Sequence, residues 1–99
     1  MKLGRIVGTV VSTQKDAKTK GLRFYVVRDV TIELSHKDSF VIAADSVGAG
    51  VGELVLYASG SSARQTTVTN NRPVDATIMA IVDLIDVAGK LIYDKQQEG

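Results

Sequence analysis

Apolar residues along this chain recur in short runs, rich in β-branched side chains and broken by glycine, a pattern that predicts strands rather than helices. The first predicted strand is Leu3 to Thr13, where Gly4 and Gly8 mark candidate bends or close backbone approaches. Gln14 to Gly21 is polar, lysine-rich and reads as a loop. Arg23 to Ile32 alternates: Phe24, Val26, Val30 and Ile32 share one face with Arg28, while Arg23, Tyr25, Asp29 and Thr31 share the other with Val27. After a second loop over Leu34 to Asp38, a third strand is expected near Ser39 to Asp45. The glycine-rich turn Val47 to Gly52 then feeds a fourth, Glu53 to Ala58. Gly60 to Arg72 is polar with room for one helical turn, and Pro73 suits the beginning of a turn before the next strand.

Thr77 to Val87 is the most informative stretch. At period two, Ile78, Ala80, Val82 and Leu84 lie on one face, and Met79, Ile81, Ile85 and Val87 on the other. Both faces are largely apolar. A parallel α/β protein would cover both with helices, but no long helical pattern is available here. One face therefore fills a core, and the other needs cover from outside the domain. A hairpin at Ala88-Gly89 and a short strand, Lys90 to Tyr93, follow; residues 94–99 read as a loose polar tail. The pattern predicts an all-β domain, a small OB-like closed five-stranded barrel with a short C-terminal hairpin, and closure removes the exposed edges.

Composition strengthens the expectation of self-assembly. The 99 residues fit a single domain, 1–99. A domain this short buries only roughly 60–65% of its unfolded surface. Without cysteine there is no disulfide, thiolate nucleophile or Cys-based metal site, and one histidine argues against a His-rich one. No cofactor is implied, and neighbouring chains are the natural supplement to the core. A net charge of +1 gives no electrostatic reason to expect nucleic acid or an anionic membrane. The N-terminus lacks the apolar stretch of a signal peptide and no apolar run reaches spanning length, so a cytoplasmic location is expected.

Candidate chemistry is sparse. Gly48-Ala49-Gly50-Val51-Gly52-Glu53 begins like a dinucleotide fingerprint, but Glu53 takes the last glycine position and a strand follows where a phosphate cradle needs a helix. A tight turn between strands is the expectation. Ser61 or Ser62 could be imagined as nucleophile, with His36 as base, yet nothing in the spacing joins them, and His36 reads as an exposed loop residue. Arg64, abruptly cationic after small residues, is either a solvated loop arginine or a guanidinium clamp for a carboxylate or carbonyls. Lys15, Lys18, Lys20 and Arg23 form a basic cluster interrupted by Asp16, without the spaced aromatics of a nucleic-acid platform.

The string Asp45-Ser46-Val47-Gly48-Ala49-Gly50-Val51-Gly52-Glu53-Leu54-Val55-Leu56, followed by Gly60-Ser61-Ser62-Ala63-Arg64, resembles the signature of the bacterial microcompartment vertex proteins. That family includes the ethanolamine-utilisation and carboxysome pentamers. The opening Met1 to Val11 and the segment Pro73 to Asp83 are similar to it as well, so the likeness spans nearly the whole chain. It departs at Glu33 to Asp38, where a Gly/Pro-rich turn is usual, and at Val87-Ala88-Gly89, where Asp-Gly is common. The resemblance implies an OB-like barrel forming a pentameric ring at the five-fold vertices of a microcompartment shell, beside hexameric shell proteins that tile its facets. It implies a role for Ser61, Ser62 and Arg64 near the ring axis or subunit boundary; Ile81 and Ile85, on the face assigned outward, would pack between subunits. The rival reading is a monomeric OB-like module that binds nucleic acid or another ligand.

Overall fold

In a computed structural model of the protein, described for residues 1–12, 21–66, 69 and 74–98, seven strands form two sheets. They are β1 (Lys2–Val10), β2 (Phe24–Val30), β3 (His36–Asp45), β4 (Leu54–Ser59), β5 (Ala76–Ile81), β6 (Leu84–Val87) and β7 (Lys90–Asp94). The first five close into a barrel in the order β1-β2-β3-β5-β4, with β3 and β5 parallel and the other neighbours antiparallel. β6 and β7 form a separate hairpin. Most of the predicted loop at 14–20, with Lys15, Lys18 and Lys20, and the turn at Pro73 lie outside the described residues.

The barrel core is built from alternate residues of its strands: Ile6, Tyr25, Val27, Ala43, Val55, Tyr57 and Ile78. Of the two β2 faces, Tyr25 and Val27 fill the interior while Val26 and Arg28 are only half-buried. Gly4 is a close approach, since a Cβ there would collide with Val27 Cγ1 and crowd the Arg28 carbonyl. Gly8 is different: a Cβ would meet nothing closer than 3.9 Å.

Three departures from simple alternation matter. β3 begins at His36, so His36, Lys37 and Asp38 belong to a strand and the connecting turn is only Thr31 to Ser35. His36 is exposed, but it is a strand residue paired with Val30. Polar links hold this part of β3: Ser39 Oγ donates to Asp29 at 2.6 Å, and Arg28 Nε donates to the Lys37 carbonyl at 2.9 Å.

Second, the expected strand over Thr77 to Val87 is two strands, separated at Val82-Asp83. The β4–β5 ladder runs one step past the end of β5, where the Val82 amide donates to the Leu54 carbonyl at 2.8 Å. Third, the β4–β5 register steps from Leu56↔Ala80 to Tyr57↔Ile78, leaving Met79 as an extra residue. The bulge reverses the alternation beyond it. Ile81, assigned outward at period two, therefore packs half-buried against the barrel core; Leu84, assigned inward, lies past the break in the separate hairpin and is 57% exposed.

A smaller cluster of Val30, Leu54, Val82 and Tyr93, with Ile85 half-buried against it, ties the hairpin to the barrel. Ala88 and Gly89 form its turn at φ 52° and 79°, so an alanine sits where glycine or asparagine is usual. Residues 94–98, expected as a tail, carry a 3₁₀ turn at Lys95–Gln97, where the Asp94 carboxylate accepts from Gln96 N and the Lys95 amide donates to the Asp83 carbonyl. Lys95 Nζ reaches Glu53 Oε2 at 2.5 Å, and Glu98 accepts from Arg5 at 3.3 Å.

Candidate functional site

The two motif blocks lie on either side of β4. In the first, Asp45 ends β3 and turns its carboxylate back onto the chain: Oδ1 accepts from Val47 N at 3.0 Å and Ala49 N at 3.2 Å, and Oδ2 from Gly48 N at 3.1 Å. Glu53 closes the other end, taking Gly50 N at 2.7 Å through Oε1. Gly48 and Gly52 stand at φ +78° and +95°, where a side chain would be strained. The Ala49 and Gly52 carbonyls accept from Tyr25 OH and Arg5 Nη1, both at 2.9 Å. Amides that could have cradled a phosphate are thus spent on the chain's own carboxylates. The tight-turn expectation holds.

Glu53 is held below the ordinary glutamate range, chiefly by the hydrogen bond from Lys95 and further by Gly50, against a smaller opposing effect of burial. Lys95 is raised by the same bond. Nearby in the barrel, burial pushes the Tyr57 phenol well up, and its hydrogen bond to Asp29 adds to this. Burial works to raise Asp29, but the bonds from Ser39 and Tyr57, with Lys2 and Lys37 nearby, leave it lowered.

The second block, Gly60–Arg64, is a 3₁₀ turn directly after β4. Gly60, at φ +65°, starts it and donates its amide to the Asp75 carbonyl at 2.9 Å. Its anchor is Ala63, fully buried, whose carbonyl accepts from Thr77 Oγ1 at 2.6 Å and Thr69 Oγ1 at 2.8 Å. Both threonines are themselves fully buried. That arrangement leaves Ser61, Ser62 and Arg64 exposed on the far side. Sequence reading picked out these three but missed Ala63, Thr69 and Thr77; the only signal available was a small residue inside a polar run.

The serine–histidine pairing is not assembled. The turn follows Ser59, which pairs with Ala76, and Thr77 pairs with Ala44 at the far end of β3. His36 is at the near end, so about 25 Å of strand separates the two. A stacking platform is not assembled either. Of the five aromatics only Phe40 is exposed, and the Arg28 guanidinium lies over its ring at 5.2 Å. Among the described residues, no group of His, Asp and Glu is placed to hold a metal ion, and no helix is long and apolar enough to cross a membrane.

A closed barrel with the OB strand order, one self-capped glycine turn and one outward-facing 3₁₀ turn define a small β-barrel of binding or assembly type. Comparison then narrows the class. The chain belongs to the family described as ethanolamine utilisation protein EutN/carboxysome, whose profile matches residues 1–83. It is 43% identical to the carboxysome shell vertex protein CcmL of a Nostoc species, over 99% of this chain and 98% of that one. It is 35% identical to the microcompartment shell vertex protein EutN of Salmonella typhimurium, over 96% of each. Among solved structures, CcmL of Gloeobacter violaceus superposes with a TM-score of 0.92 at 38% identity, covering 97% of this chain and 99% of that one. The pentameric microcompartment shell protein GrpN of Rhodospirillum rubrum gives 0.79 at 40% identity, covering 88% and 100%.

Proposed function

We propose that this chain is a structural vertex protein, five copies of which close into a ring that caps a five-fold corner of a bacterial microcompartment shell in the cytoplasm. The observation that carries this is the whole-length match, in sequence and in fold, to proteins named for that role, one of them solved as a pentamer. Hexameric shell proteins make the adjoining facets, and the protein performs no catalysis. A ring uses two unlike patches per subunit, each facing the other on the neighbour.

Ser61, Ser62 and Arg64 point away from their own fold and line the ring axis or bridge neighbours there. Ile81 and Ile85 each leave part of their surface uncovered by their own core, and the adjoining subunit completes the cover. The direct test is to assemble shells from hexameric tiles with and without this protein and to image them by cryo-electron microscopy. Density of five-fold symmetry at the vertices only when the protein is present is the expected result. Vertices left empty would overturn the assignment.

A further inference from the structure

Two groups of exposed apolar side chains stand on strands facing different ways. The first is on the outer surface of β2 and β3. Phe40 is 55% and Ile42 51% exposed; they are two residues apart on one face, with Val26 directly across from Ile42 and Arg28 across from Phe40. The second is on the outer surface of the hairpin, where Leu84 (57%) and Leu91 (47%) flank Asp86, which pairs with Leu91, and Asp94, which pairs with Leu84.

The strand order decides their relative placement. Around the barrel, β4 lies opposite the β2–β3 pair. The hairpin is anchored through Ile85 and Tyr93 on a cluster that holds Leu54 and Leu56 of β4, Leu3 of β1 and, at the end of β2, Val30. Both surfaces stay exposed in the folded chain, so neither covers the other within it. They also differ in charge. The first carries a guanidinium at its centre, held by the Lys37 carbonyl through Nε and only loosely by the exposed Asp38 at 3.6 Å; the second carries two aspartates.

Two unlike, outward-facing patches with apolar centres and opposite charge are what a closed head-to-tail ring needs. We infer that the hairpin of one subunit docks on the outer face of β2–β3 of the next, its Leu84 and Leu91 against Phe40 and Ile42 and its Asp86 toward Arg28. This rests on the ring reading above and assigns the surfaces that make it.

Because the chain has no cysteine, single thiols can be placed at will. Ile42→Cys and Leu91→Cys alter exposed positions, so folding is not at risk. A short bismaleimide added to the Ile42→Cys/Leu91→Cys protein should give a denaturing-gel ladder that ends at five chains, while neither single variant cross-links. A double variant that is a five-chain species by native mass yet gives no ladder would overturn the docking, as would cross-linking of either single variant. If the unsubstituted protein is not a five-chain species, it is the ring reading that fails, and the docking falls with it.

Discussion

Asp45–Glu53 and Gly60–Arg64 carry the family likeness together but use their polar groups in opposite ways. In the glycine turn, the amides of Val47, Gly48, Ala49 and Gly50 all find carboxylates of the same turn, and two carbonyls are taken by Tyr25 and Arg5. In the 3₁₀ turn, one backbone carbonyl gathers two buried hydroxyls, and the residues around it face outward. The first block spends its polar groups on holding its own turn in shape. The second is anchored by the fold, but its side chains at Ser61, Ser62 and Arg64 are exposed and make no hydrogen bond or ion pair among the described residues. A motif of one kind should govern stability, and of the other, assembly.

That division can be broken from either side. Asp45→Ala removes the acceptor for three amides, and the folded subunit should lose about 2–3 kcal/mol in denaturant melts. A loss under about 0.5 kcal/mol would mean water replaces the carboxylate freely and the turn is not structural in the sense argued. Thr77→Val is isosteric and removes one donor from the Ala63 carbonyl. It should cost about 1 kcal/mol and loosen the Gly60–Arg64 turn, visible as faster amide exchange there.

Acid should act on the first block in a predictable direction. Glu53 has a folded-state pKa below its unfolded value, so its stabilisation is complete above the unfolded pKa and is lost as pH falls through the folded one, below pH 4.5. Lys95, raised instead, gives stability that is complete below its ordinary pKa and fades only above pH 10.5. In urea titrations across the acid range, Glu53→Gln should flatten part of the decline; an unchanged slope would show the Lys95 contact to be idle. The smallest effect on folding is expected of Arg64→Ala, within about 0.5 kcal/mol, because its side chain is exposed. The ring should nevertheless weaken or change its opening. Unchanged ring mass together with an unchanged ring structure would remove Arg64 from the assembly argument.

Much of this was legible in the sequence where apolar alternation and glycine set the backbone. The alternation of β2, the turn before β4 and the Ala88-Gly89 hairpin all follow from local pattern, although the face of β2 with fewer apolar residues, Tyr25 and Val27, is the one that fills the barrel. The start of β3 was not, because His36 to Phe40 is exposed throughout and polar links to Asp29 and Arg28 hold it, so there is no buried face for periodicity to reveal. Bulges were equally hidden. One extra residue, Met79, sends Ile81 to the core, and the break at Val82-Asp83 puts Leu84 on a separate hairpin; nothing in Ile78-Met79-Ala80 announces either. The Lys95–Glu53 contact joins residues 42 apart, and only the folded barrel brings them together. At the candidate site the outward residues could be read from composition, whereas the buried hydroxyls beneath them depend on tertiary pairing of β5 with β3 and β4.

The central claim is a closed ring of five, and the most direct measurement is the native mass of the unsubstituted protein in solution, by native mass spectrometry with light scattering at matching concentration. The account predicts one dominant species of five chains, stable to dilution. A monomer, or a ladder of open oligomers with no five-chain preference, would contradict it and return the chain to the class of single barrels that bind a ligand on their own.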